Sequence, residues 1–132
     1  MLKGKKMALE YILILSFLLV IIQLTIPMLI ELLTKNTSLK YFLSSRDENT
    51  KISAQAQRAN RALKNLLETF PIFIGITLLS LIKDVDNSTI ALFWLIFRII
   101  YVPVYVLGIN YLRTGIWTAS LICLILMGLK FI

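Results

Sequence analysis

The stretch "RANRALKNLLETFPIF", residues 58–73, runs three cations and a glutamate directly into an apolar segment long enough to begin crossing a membrane. Wound as a helix at 100° per residue, Arg58, Arg61, Asn65 and Glu68 share a stripe narrower than a quarter-turn, with Lys64 just off it. A charged side chain at mid-membrane costs roughly 2.5–3.5 kcal/mol on insertion scales; the cost falls toward the interface, but Glu68, three residues before Pro71, must face protein or a wet cavity. An interhelical salt-bridge network is one way to meet that demand, with Glu68 neutralised by Arg61 or by a cation elsewhere. Stoichiometry favours another: one carboxylate faces several cations, and the surplus positive charge wants an anion. The stripe reads as an anion-binding interior surface.

The rest of the chain supports a membrane setting. The 132 residues are 58% hydrophobic and the mean hydropathy is +0.84, which leaves too little polar surface to cover a small soluble core. The net charge of +7 comes from cations that lie mostly beside or between apolar runs, as in membrane-flanking loops. A nucleic-acid-binding patch would need a soluble domain to present it, and no segment reads as one, so no nucleic-acid partner is expected. The single cysteine, Cys123, excludes an intramolecular disulfide. The absence of histidine excludes Ser-His-Asp and Cys-His catalysis and most zinc sites, and no metal is expected.

Four apolar segments give an all-α fold class, an integral membrane four-helix bundle forming one domain over 1–132. The spans fall at about 8–33, 55–82, 89–112 and 115–132, with a polar loop at about 34–54. The first span has a basic start but is too long, and lacks a small-x-small site, for a cleaved signal peptide. The second helix starts near residue 50, outside the hydrocarbon, because Ile52 to Phe70 contains good helix formers and no Gly or Pro. Asp86, Asn87 or Ser88 caps the third helix, and "RTG", residues 113–115, links spans three and four. The loop-one side holds Lys35, Lys40, Arg46, Lys51, Arg58, Arg61, Lys64 and Arg113, against Lys3, Lys5, Lys6, Lys83 and Lys130 on the other. The positive-inside rule then puts loops one and three in the cytoplasm.

The third span repeats the pattern of the second. Trp94, Arg98, Tyr101 and Tyr105 share a face, with Arg98 deep in "FWLIFRIIYVPVY". For either tyrosine alone, core packing or an interfacial belt explains the position. For Arg98 an ion pair in the bundle interior is the expectation, with Glu68 the first-choice partner and Glu10 and Glu31 still open. Pro27, Pro71 and Pro103 all fall inside spans, where kinks either bend helices or shape cavities. Arg113 closes span three beside Thr114; an arginine and a hydroxyl there suit either an ordinary interfacial position or a developing anion such as a thiolate.

The motif "RALKNLLETFP" resembles the R-A-x-x-N-x-x-E-x-x-P signature of the MAPEG superfamily, the membrane-associated proteins in eicosanoid and glutathione metabolism. "SSRDE", residues 44–48, resembles a segment of the bacterial branch, and "RIIYVPVY" followed by "LRT" resembles the third-span region of microsomal glutathione transferases. The resemblance implies a homotrimer in a bacterial inner membrane that binds glutathione between subunits as a cosubstrate. It assigns Arg61, Asn65 and Glu68 to glutathione binding, with Arg58, Lys64, Arg98, Tyr101 and Tyr105 around them. It assigns thiolate stabilisation to Arg113 and Thr114, and places Thr69 where leukotriene-C synthases have a tyrosine. Glutathione's two carboxylates and one ammonium match a stripe of surplus cations with one glutamate.

The expected function is a transferase or peroxidase in detoxification, activating the glutathione thiolate against hydrophobic electrophiles or lipids from the bilayer. A non-catalytic lipid- or glutathione-binding membrane protein is the alternative. A small multidrug exporter ranks last, because span one has carboxylates, Glu10 and Glu31, only near its ends.

Overall fold

The computed structural model describes residues 2–34 and 53–132. Among these, all regular structure is helical: α1 (Lys3–Leu33), α2 (Ala54–Lys83), α3 (Ser88–Val106) and α4 (Asn110–Leu129). All four are long and apolar enough to cross a membrane. The "SSRDE" segment, Lys35, Lys40, Arg46 and Lys51 lie outside the described residues.

The helices pack as a bundle whose interior is made by small and aromatic side chains. On α2 the buried positions Ala56, Ala59, Ala62, Leu66, Phe70 and Phe73 recur every three or four residues, so one face turns inward along the whole helix. The alanines let neighbouring backbones approach, which matters in lipid, where packing rather than hydrophobic burial drives helix association. Deeper in, Phe73 stacks on Trp94 of α3 at 3.8 Å between centroids and 8° between planes. The outward faces carry exposed large apolar residues such as Ile14, Ile21, Phe93 and Ile125, the inverse of a soluble surface.

One end of the bundle is tied by charges. Lys5 bridges Asp86 at 2.8 Å, Lys6 reaches Asp84 at 3.8 Å, and Lys130 donates to the Asp86 carbonyl. These contacts gather the start of α1, the α2–α3 turn and the end of α4. The Lys5 ammonium, helped by Ser88, holds the Asp86 carboxyl well below the usual carboxylate range. Of the three expected caps, Asn87 takes the N-cap position but its side chain makes no cap bond; the residue before it, Asp86, accepts through Oδ1 from the Ser88 amide at 3.1 Å and the Ser88 hydroxyl at 2.7 Å. Asn87 instead donates from Nδ2 to Ser80 Oγ and to the Met127 carbonyl, joining α2, α3 and α4. Helix α2 ends in Asp84 at φ 56°, a left-handed position that aspartate tolerates better than most residues.

At the opposite end Ser53 caps α2, its Oγ accepting from the Ala56 amide at 3.2 Å. Ser53 also donates from its own amide and hydroxyl to Glu31 Oε1, at 2.9 and 2.5 Å. Glu31 is thereby engaged at the α1–α2 junction and is not the partner of Arg98. The boundary between the third and fourth helices differs from the expected one. Helix α3 stops at Val106, because Gly108 takes φ 77°, with the Gly108 amide donating to the Tyr105 carbonyl and the Ile109 amide to the Val104 carbonyl. This paired closure is a Schellman motif. Residues 110–112 thus belong to α4, and the expected link at 113–115 lies inside its first turns. Pro27 and Pro71 sit within unbroken helices. Pro103 lies in the last turn of α3 and lines an apolar groove of about 410 Å³ against α1.

Candidate functional site

The site lies at the end of the bundle where α2 begins, α3 stops and α4 starts. The Schellman stop positions it. By ending α3 at Val106 and restarting the chain at Asn110, it brings the first turns of α4 back beside the last turns of α3. Asn65, Tyr101, Tyr105, Arg113, Thr114 and Trp117 then line one cavity of about 220 Å³.

Beside the cavity, cations and aromatic rings alternate. The Arg98 guanidinium carbon lies 4.5 Å from the Tyr101 ring centroid, and Tyr101 meets Tyr105 edge-on at 5.4 Å. At the other end of the series the Arg113 guanidinium carbon lies 4.6 Å from the Tyr105 ring centroid, and that of Arg61 lies 6.0 Å from the same centroid. Each guanidinium within about 6 Å of a ring centroid gains cation–π attraction, more when water is excluded. The series holds Arg113 beside the cavity without neutralising it, because a ring quadrupole attracts a cation but carries no net charge.

Arg98 is 1% exposed. Its Nη1 donates to Asn65 Oδ1 at 2.8 Å, and its Nε and Nη2 have no partner among the described residues. The expected carboxylate partner is therefore replaced by an amide. Glu68 is exposed on the outward face of α2, Glu10 is also exposed, and Glu31 is bound to Ser53. The only salt bridges among the described residues are those at the far end of the bundle.

The remaining stripe residues divide. Arg58 turns to the end of α3: its Nη1 donates to the Val106 carbonyl at 3.3 Å, and its Cζ stands 3.0 Å from where a Cβ on Gly108 would be. A cation there satisfies a free C-terminal carbonyl and opposes the negative end of the helix dipole. Arg58 thus builds the site's frame and is not among the cavity-lining residues. Arg61, Lys64 and Glu68 lie exposed on the protomer surface beside the cavity. Thr114 lines the cavity, but its hydroxyl donates to the Asn110 carbonyl at 3.2 Å. Thr69 likewise bonds within its own helix, to the Leu66 carbonyl at 3.3 Å.

Trp117 is the cavity residue that sequence reasoning missed. The signal was present: Trp117 follows Arg113 by four and Thr114 by three, so all three share one face of a helix. A link at 113–115 would separate Arg113 from Trp117, whereas the continuous helix Asn110–Leu129 keeps them on one face.

Chemically, the cavity presents donors. Arg113 is donor-only, Asn65 has its oxygen occupied by Arg98, and the two tyrosine hydroxyls can donate. Such a set stabilises an anion. In comparison with known proteins, the profile of the MAPEG family matches residues 11–132, nearly the whole chain. No curated protein and no solved structure matches.

Proposed function

The chain belongs to the MAPEG family, and from that premise we propose that it is a multi-pass membrane enzyme that activates glutathione against hydrophobic electrophiles. The observation that supports this reading most is the donor-lined cavity flanked by the Arg98–Tyr101–Tyr105–Arg113 series. Glutathione, when bound, supplies a sulfur nucleophile once its thiol has lost a proton. A free thiol of this kind has a pKa near about 8.5, so a fixed guanidinium beside it raises the thiolate fraction at neutral pH. Arg113 is the residue for that task, since among the described residues its guanidinium rests on an aromatic face and makes no salt bridge. The Thr114 hydroxyl, already donating to its own helix, plays the lesser part.

The chain's other residues fit the remaining charges of the tripeptide. Arg61 and Lys64 would take carboxylates, and Glu68 the ammonium. These three face outward from the single protomer, and Glu68 is a carboxylate on a membrane-spanning helix. Leaving it against lipid is costly, so a second protomer that covers this face would both shield Glu68 and close the site. A homotrimer with the site between subunits meets that need. With loops one and three cytoplasmic, the cavity opens toward the cytoplasmic pool of small thiols.

The test is a conjugation assay with a generic aromatic electrophile in detergent, with and without glutathione. Glutathione-dependent conjugation above the uncatalysed rate is the expected result. Saturable binding without turnover would favour the non-catalytic alternative instead, and absence of both would reject the reading.

A further inference from the structure

Arg98 is bonded to Asn65, which lines the cavity. It is 1% exposed, is absent from the cavity lining, and rests on the face of Tyr101. Among the described residues its one hydrogen bond goes to Asn65 Oδ1. A guanidinium has donors and no acceptor, whereas a primary amide accepts at one end and donates at the other. Arg98 can therefore hold only the oxygen of Asn65. Holding that end fixes the amide's rotation and turns the Nδ2 donors away from Arg98.

We propose that Arg98 is a positioning residue that locks the Asn65 amide with its nitrogen toward the ligand, so that the cavity selects an anionic group. Free rotation of the amide would otherwise allow Oδ1 to face the cavity beside the site of a developing negative charge, where an oxygen lone pair repels it. This explains why a buried arginine is kept on a membrane-spanning helix although no carboxylate among the described residues pairs with it. The proposal rests on glutathione being the ligand, and it differs from the expectation that Arg98 binds glutathione directly.

Calorimetric titration of glutathione into purified wild type, Arg98→Met, Arg98→Lys, Asn65→Leu and the Arg98→Met/Asn65→Leu double variant tests it, alongside melting temperatures in the same detergent. Each single apolar variant should bind about ten-fold more weakly, in the range of one lost hydrogen bond involving a charged partner. The double variant should be no weaker than Asn65→Leu alone, because Arg98 acts only through that amide. Arg98→Lys keeps a donor toward Oδ1 and should recover most of the affinity. Losses that multiply to about a hundred-fold in the double variant would show that Arg98 contacts the ligand itself and overturn the proposal.

Asn65→Asp separates positioning from simple helix stapling. It keeps an acceptor for Arg98, so the melting temperature should hold or rise, while the donor toward the ligand is replaced by a carboxylate oxygen and binding should fall. Binding equal to wild type would overturn the proposal even if Arg98→Met fails to fold. Wild-type protein that binds no glutathione would overturn the functional reading and this proposal together; wild-type binding with additive variants overturns this proposal alone.

Discussion

The Arg113 guanidinium sits 4.6 Å from the centroid of the Tyr105 ring, on the first turns of α4 and at the edge of the donor-lined cavity. An aromatic face orients a guanidinium without consuming its hydrogen bonds, which leaves Arg113 free to face a developing anion. Arg113→Ala should therefore keep most glutathione binding. The ultraviolet absorbance of bound thiolate should disappear, and the conjugation rate should fall by about a hundred-fold, as when one anion-stabilising donor is removed. Full retention of the thiolate signal in this variant would assign the role to another residue.

Gly108 should tolerate no side chain. Its φ of 77° disfavours L-residues, and a Cβ would stand 3.0 Å from the Arg58 guanidinium carbon. Gly108→Ala is expected to cost about 1–2 kcal/mol from the backbone conformation alone. It should lower the melting temperature, and also lower the absorbance of bound thiolate, because the same turn aims Arg113. Arg58→Met, which removes the cap on the Val106 carbonyl but adds no strain, should lower the melting temperature by less.

Acid should loosen the far end of the bundle through Asp86. The Lys5 ammonium depresses the Asp86 pKa in the folded protein, so the contribution is present at pH values above the ordinary carboxylate pKa, about 4. It is lost as pH falls from there through the folded value. Asp86→Asn should flatten the pH dependence of the melting temperature in that acid window, with little change at neutral pH. An unchanged slope between wild type and variant would show that the Lys5–Asp86 bridge at 2.8 Å contributes nothing to folding.

Much of this arrangement is legible in the sequence because membranes make it so. Four apolar runs must be helices when no water can satisfy the backbone, and charges inside them must converge on something. Arg61, Asn65, Tyr101 and Tyr105 could be found by helical spacing and by the R-A-x-x-N-x-x-E-x-x-P motif, and Arg113 by the "LRT" that follows the third-span segment. What could not be read were destinations fixed by backbone geometry. Hydropathy passes smoothly through residues 104–112, so only the left-handed Gly108 reveals where α3 stops. That stop exposes the carbonyl that Arg58 then caps, and it places Trp117 on the cavity face. Charge counting alone also favoured a carboxylate for Arg98, whereas the amide of Asn65 lies on the facing turn of α2 and Glu68 points outward.

The most direct test of the central claim is a calorimetric titration of glutathione into the purified protein in detergent, run beside Asn65→Leu. A saturable heat for wild type, weakened about ten-fold in the variant, is the result expected if the cavity between α2, α3 and α4 is the thiol site. No heat at millimolar glutathione, or equal heats for the two proteins, would contradict it.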